Sequence, residues 1–172
     1  MLDIAIAYNK YKFLGNEFLT WLWYAVSTHK LNTTVEIGSK LIMENSANDA
    51  VERLVITGDN ANFDEALLAL RKGAQVAEMQ LLYFNDSNQK WTFSLKGEAL
   101  SFTGLKLPET ALTQSMQQDE NDTEAKILDR MDLIEQISHV LENIFQQFIK
   151  LRISGNWNST VNEIRQWAKI EV

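Results

Sequence analysis

The sequence predicts an α+β domain in which an antiparallel β-meander is covered by a long C-terminal helix and joined by an aromatic-rich N-terminal helix. Three observations carry that prediction. Residues 75–105 hold three strand-like segments separated by turns too short for a crossover helix, which requires antiparallel pairing. Residues 124–153 hold apolar side chains at helical spacing, with Ile134, Ile137, Leu141, Ile144, Phe148 and Leu151 in strict a/d positions. Residues 18–26 read Phe-Leu-Thr-Trp-Leu-Trp-Tyr-Ala-Val, a helix apolar nearly all the way round.

In chain order, residues 2–8 read as a short first strand. Asn16 is placed to cap a helix running to about His29, with Glu17 near the positive end of its dipole. Residues 33–43 alternate, and residues 51–57 make a second strand, closed by Gly58-Asp59-Asn60 as a turn. Residues 62–73 carry a full set of helix punctuation. Asn62 and Glu65 form a capping-box-like pair, Asp64 and Glu65 lie in the first turn, Arg71 and Lys72 in the last, and Gly73 follows as the terminating residue. The meander strands are residues 75–84, 90–95 and 99–105; in Trp91-Thr-Phe-Ser-Leu95 the apolar residues occupy alternate positions. Pro108 closes the meander. Residues 110–123 are rich in Gln, Ser, Asp and Asn and read as a mobile polar loop. After the long helix, Thr160 and Glu163 are spaced as a capping box for a last helix bearing Val161, Ile164 and Trp167.

Length and composition bound the function. A chain of 172 residues with 45% hydrophobic and 10% aromatic content fits one folded domain spanning residues 1–172. There is no cysteine, which removes disulfides and thiol chemistry and fits a reducing, cytoplasmic setting. Residues 1–8 carry Asp3 and lack a basic leader, and the longest apolar stretch is far below the ~20 residues that span a bilayer, so no membrane role is expected. The net charge of −7 opposes bulk electrostatic coating of nucleic acid, although Asp119, Glu120, Asp122 and Glu124 concentrate much of the excess in one stretch.

Motifs that carry chemistry are scarce in the chain. His29 and His139 lie in no ligand pattern, and the seven glycines form no phosphate-cradling loop. Glu36-Ile-Gly-Ser-Lys40 has the wrong spacing for a nuclease motif, and Asp64 and Glu65 are explained by capping. No nucleophile elbow is present. The expectation is a non-catalytic binding protein with no cofactor, metal or small-molecule substrate.

Three features exceed what a plain core requires, one of them the a/d stripe from Ile134 to Leu151, which suits either packing on the sheet or pairing with a second copy. Trp21, Trp23 and Tyr24 suit either core packing or the anchors of an interface, most simply a homodimer. Arg71, Lys72, Lys90, Lys96 and Lys106 lie near Tyr83, Phe84, Trp91 and Phe102; brought to one face, they would form a modest phosphate-binding strip. The alternative reading of the chain is a protein–protein interaction module, of an oligomeric or phage-type accessory kind, using the aromatic helix.

Several segments taken together carry a family resemblance. The run Phe18-Leu-Thr-Trp-Leu-Trp23, the segment Glu65-Ala-Leu-Leu-Ala-Leu-Arg-Lys-Gly73 leading into Val76-Ala-Glu-Met-Gln-Leu81, then Trp91-Thr-Phe-Ser-Leu95, Leu100-Ser-Phe-Thr-Gly-Leu-Lys-Leu-Pro108 and the long apolar helix resemble the later part of the recombination-associated RdgC family of bacterial proteins. The resemblance covers residues 14–150. It implies non-specific duplex DNA binding by ring-shaped dimers and restraint of the RecA recombinase. Two features depart from the pattern. The family's leading portion has no counterpart here. Gly73-Ala74 stands for its Gly-Lys, and only Lys106 remains of its Lys-Arg-Leu-Lys run, so positive charge is lost where DNA contact is expected.

Overall fold

A computed structural model describes residues 13–47, 50–58, 63–114 and 120–169. The elements are α1 (Phe13–Ser27), β1 (Val35–Ala47), β2 (Ala50–Thr57), α2 (Phe63–Arg71), β3 (Gln75–Phe84), β4 (Lys90–Lys96), β5 (Ser101–Lys106), α3 (Ala111–Gln114), α4 (Glu120–Arg152) and α5 (Trp157–Ala168). The strands form a five-stranded sheet in the order β2-β1-β3-β4-β5, and every neighbouring pair is antiparallel. The expected meander is therefore β3-β4-β5, and a β1-β2 hairpin extends it on the β3 side. The strand expected at residues 2–8 and the Asn62 cap lie outside the described residues.

Side-chain alternation decides which face of the sheet the helices cover. Along β4, Trp91, Phe93 and Leu95 are buried while Lys90 and Lys96 are exposed. Tyr83, Leu81 and Met79 of β3 stand in register with those three, and Leu41 of β1 with Met79. These residues, with Met43, Ile56 and Val76, join the helices in one core. The indole Nε1 of Trp91 donates a buried 3.0 Å hydrogen bond to the carbonyl of Leu133, tying β4 to α4.

The aromatic helix α1 is the centre of that core. Phe18 packs edge-on against Phe145 at 5.2 Å and beside Phe148 at 5.3 Å; Trp21 meets Phe148 at 5.5 Å; Trp23 and Tyr24 both contact Trp167 of α5. Trp21, Trp23 and Tyr24 are 6%, 0% and 4% exposed. This corrects the reading of these three as interface anchors: a helix apolar all round is satisfied inside one chain because the sheet, α4 and α5 each take a side of it.

Local signals hold at α2 and shift elsewhere. Gly73 adopts φ 92, where an L side chain is strained, and Ala74 N–H bonds Ala69 O, completing the expected C-terminal cap. The first helix begins at Phe13, so Asn16 lies inside α1 and does not cap it. Helix α5 begins at Trp157, so Thr160 sits in its first turn with its hydroxyl on Asn156 O, and Glu163 is engaged with Lys30 and Tyr24. The capping box is not formed. Residues 110–123 are not one loop: α3 packs beside α4, with Thr110 Oγ1 donating to Asp129 Oδ2 at 2.6 Å, and α4 starts at Glu120.

Candidate nucleic-acid interface

The face of the sheet turned away from the helices is where three of the predicted lysines gather. In β4 the alternation that buries Trp91, Phe93 and Leu95 leaves Lys90, Thr92, Ser94 and Lys96 on the opposite side. Lys106 of β5 stands in register with Thr92, and Lys96 with Glu78 of β3 and Ser101 of β5. The register thus places Lys90, Lys96 and Lys106 in one surface over two adjacent strands. Lys106 also borders a groove of ≈ 770 Å³ beside α3, whose wall includes Arg130, Thr113 and Gln114.

Arg71 and Lys72 are not part of this surface. Arg71 ends α2 and Lys72 follows it, on the helix-covered side. Arg71 Nε donates to Ala168 O at 2.6 Å, so the guanidinium serves the C-terminal carbonyls of α5. The Lys72 carbonyl accepts from Asn45 Nδ2, and the residue lines a separate groove between α2 and β2. Five expected cations resolve into a sheet-face group of three and a helix-end pair.

The structure adds two cations that sequence reasoning missed. Lys40 and Arg53 lie on the open face, because their neighbours Leu41, Met43 and Ile56 point into the core and Arg53 is in register with Glu44. The uninterrupted apolar run Leu41-Ile42-Met43 conceals this alternation in the sequence. Lys40 Nζ pairs with Glu78 Oε1 at 3.2 Å, and Glu78 is 9% exposed. Among the described residues, register therefore assigns Lys40, Arg53, Lys90, Lys96 and Lys106 to the open face against the carboxylates of Glu36, Glu44 and Glu78. In a chain of net charge −7 this face is locally basic.

The aromatic residues expected beside the lysines divide between the two faces. Trp91 is fully buried, Tyr83 packs tilted against it at 5.2 Å, and Phe102 packs on Phe93 at 6.4 Å, all on the helix-covered side. Burial, with Asp86 nearby, raises the Tyr83 phenol above its ordinary pKa. Only Phe84, in register with Lys90, stands among the open-face row. The surface offers ammonium groups and hydroxyls, with few platforms for stacking bases.

A second polar cluster joins α1 to α5. Tyr24 Oη donates to Glu163 Oε2 at 2.8 Å, and Lys30 Nζ donates both to Tyr24 Oη at 2.5 Å and to Glu163. The hydrogen bond from Lys30 holds the Glu163 carboxyl below the usual range, and the same bond raises Lys30. Among the described residues there is no group of three or more His, Asp or Glu that could hold a metal ion, and no helix long and apolar enough to cross a membrane.

No protein-family model, curated protein or solved structure matches this chain.

Proposed function

We propose that this protein is a non-catalytic binding protein that engages duplex DNA without sequence specificity through the open face of its sheet, in the manner implied by its resemblance to RdgC-like recombination accessory factors. The observation that carries this reading is the common surface formed by Lys90, Lys96 and Lys106 on β4 and β5. Ammonium groups neutralise phosphates and release counterions, a term indifferent to base identity. The near-absence of aromatic side chains from the same face favours the duplex backbone over stacked single-stranded bases.

Duplex binding over a salt series tests the reading. Three phosphate contacts predict a log–log slope of about −2.7 per chain. Replacing Lys90, Lys96 and Lys106 together by Gln should abolish that slope and weaken all duplex sequences alike. Absence of any duplex binding at low salt by folded protein overturns it.

A second reading, a protein–protein interaction module, draws on a different surface from the buried aromatic helix. The first half of α4 exposes Ile127, Leu128, Met131 and Ile134, at 41–59% of their full area. Such a stripe on a helix suits an apolar protein partner. A wild type that binds no duplex but captures a protein partner, with that capture lost in Met131→Lys, would support this reading over the first.

A further inference from the structure

The two edges of the sheet differ in how they are guarded. Edge strand β5 is six residues long, is broken by Gly104 at φ 62 and shifts register against β4. Those are the features that discourage another chain from pairing. Edge strand β2 has none of them. Its eight residues pair with β1 in unbroken register from Ala50 to Thr57, and among the described residues nothing pairs with its other side. Leu54 and Val55 are 39% and 52% exposed at its middle. An edge about 26 Å long at ~3.3 Å per residue, apolar at its centre and without proline, is a template for a further strand.

Beside this edge lies a groove of ≈ 650 Å³ between β2 and α2, with Leu54 and Leu68 in its wall. Leu68 is 48% exposed. Glu65 and Leu68 of α2 and Lys72 just after its end line the groove at i, i+3 and i+7, and the bond from Lys72 N–H to Leu68 O carries the helical spacing to Lys72, hence one stripe. The stripe is acidic at one end, apolar in the middle and basic at the other. That order is self-complementary under a two-fold axis, which reverses the stripe and sets each end against its opposite.

We infer that β2 is a dimerisation edge: a second copy of this chain pairs its own β2 antiparallel to the first, centred on Leu54, to give one continuous ten-stranded sheet. The two-fold axis then runs perpendicular to the sheet. Leu54 and Leu68 of both copies meet at the seam on the helix-covered side. Glu65 of each α2 faces Lys72 of the other copy. Centring on Leu54 sets Arg53 opposite Val55 of the second copy and avoids Arg53 opposing itself. Because antiparallel pairing keeps the faces of both sheets aligned, the two open faces form one surface. This dimer does not depend on nucleic acid. If the open face does bind duplex, the dimer doubles its phosphate contacts.

The test is the mass of the full chain in solution without DNA, by light scattering and sedimentation equilibrium over a concentration series. The expected result is twice the 19.7 kDa of one chain at high micromolar concentration. Leu68→Glu, on an exposed helix surface, should give a folded monomer by circular dichroism. Glu65→Lys and Lys72→Glu should each weaken association by about tenfold, since like charges then oppose across the seam. The double variant E65K/K72E should restore it, a rescue that a merely structural role for either residue would not produce. A single-chain mass for the folded wild type overturns the inference, as does a dimer indifferent to both Leu68→Glu and Glu65→Lys.

Discussion

On the helix-covered face of the sheet, Trp91, Phe93 and Leu95 follow one another along β4 with Met79 and Leu81 beside them, and all five are at most 3% exposed. On the other face of the same strand stand Lys90, Thr92, Ser94 and Lys96. The backbone hydrogen bonds are shared by both faces, so the difference in chemistry arises wholly from the two-residue period. The first face is closed by contact with α1 and α4 and has no freedom to change. The second contributes little to the core, which leaves its composition available for binding. Substitutions should therefore divide sharply by face.

The largest effect is expected at Trp91. Trp91→Ala removes a fully buried ring and its hydrogen bond to Leu133 O, and should destabilise the fold by about 3–5 kcal/mol in denaturant unfolding. A loss below 1 kcal/mol would mean that β4 and α4 are not locked together as described.

Gly15→Ala sharpens the same comparison at the backbone. Where α1 crosses the turn after β4, a Cβ on Gly15 would lie 1.7 Å from the carbonyl oxygen of Gly97, and neither backbone can yield like a flexible side chain. The expected loss is about 1–3 kcal/mol, the range for overpacking a closed contact. An unchanged unfolding midpoint would show that α1 sits further from the sheet.

The open face should behave in the opposite way. The combined Lys90, Lys96 and Lys106 to Gln replacement should move stability by no more than about 0.5 kcal/mol per site while removing duplex binding. Unfolding beyond that in thermal melts would mean that these lysines support the fold. Binding that survives intact would separate the open face from DNA.

The smallest effect concerns pH. Glu163 has its folded pKa lowered from 4.5, so its contribution to stability is present above that value and lost as pH falls through the lowered one. Lys30 is raised from 10.5, so its contribution is present below that value and lost as pH rises through the raised one. Glu163→Gln should flatten both limbs of the stability–pH curve slightly and leave the neutral region nearly unchanged. Its acid limb, measured by melts between pH 5 and about pH 3, matching that of the wild type would exclude the pairing.

Several elements were legible in residues alone because their signals are local. The C-terminal cap of α2 at Gly73, the β4 alternation and the turn at Asn85, where Gln89 N–H bonds Asn85 Oδ1, depend on neighbours a few positions away. The exposed half of α4 was not legible: Ile134 shares its a/d spacing with Ile137 and Ile144, yet is 41% exposed while those two are buried. The helix simply runs past the end of the core, and periodicity carries no information about where the other layer stops.

The sequence by itself determined the class of the fold, the antiparallel order of β3-β4-β5 and the alternation of Trp91, Phe93 and Leu95 along β4. Each follows from periods of two or of 3.6, properties of the chain's own geometry. Tertiary structure alone decided that Trp21, Trp23 and Tyr24 are core, that Arg71 serves the end of α5 while Lys90, Lys96 and Lys106 share a surface, and that β2 is an edge strand among the described residues. These depend on which elements meet, and contacts such as Arg71 with Ala168 join residues 97 positions apart, beyond the reach of any local pattern.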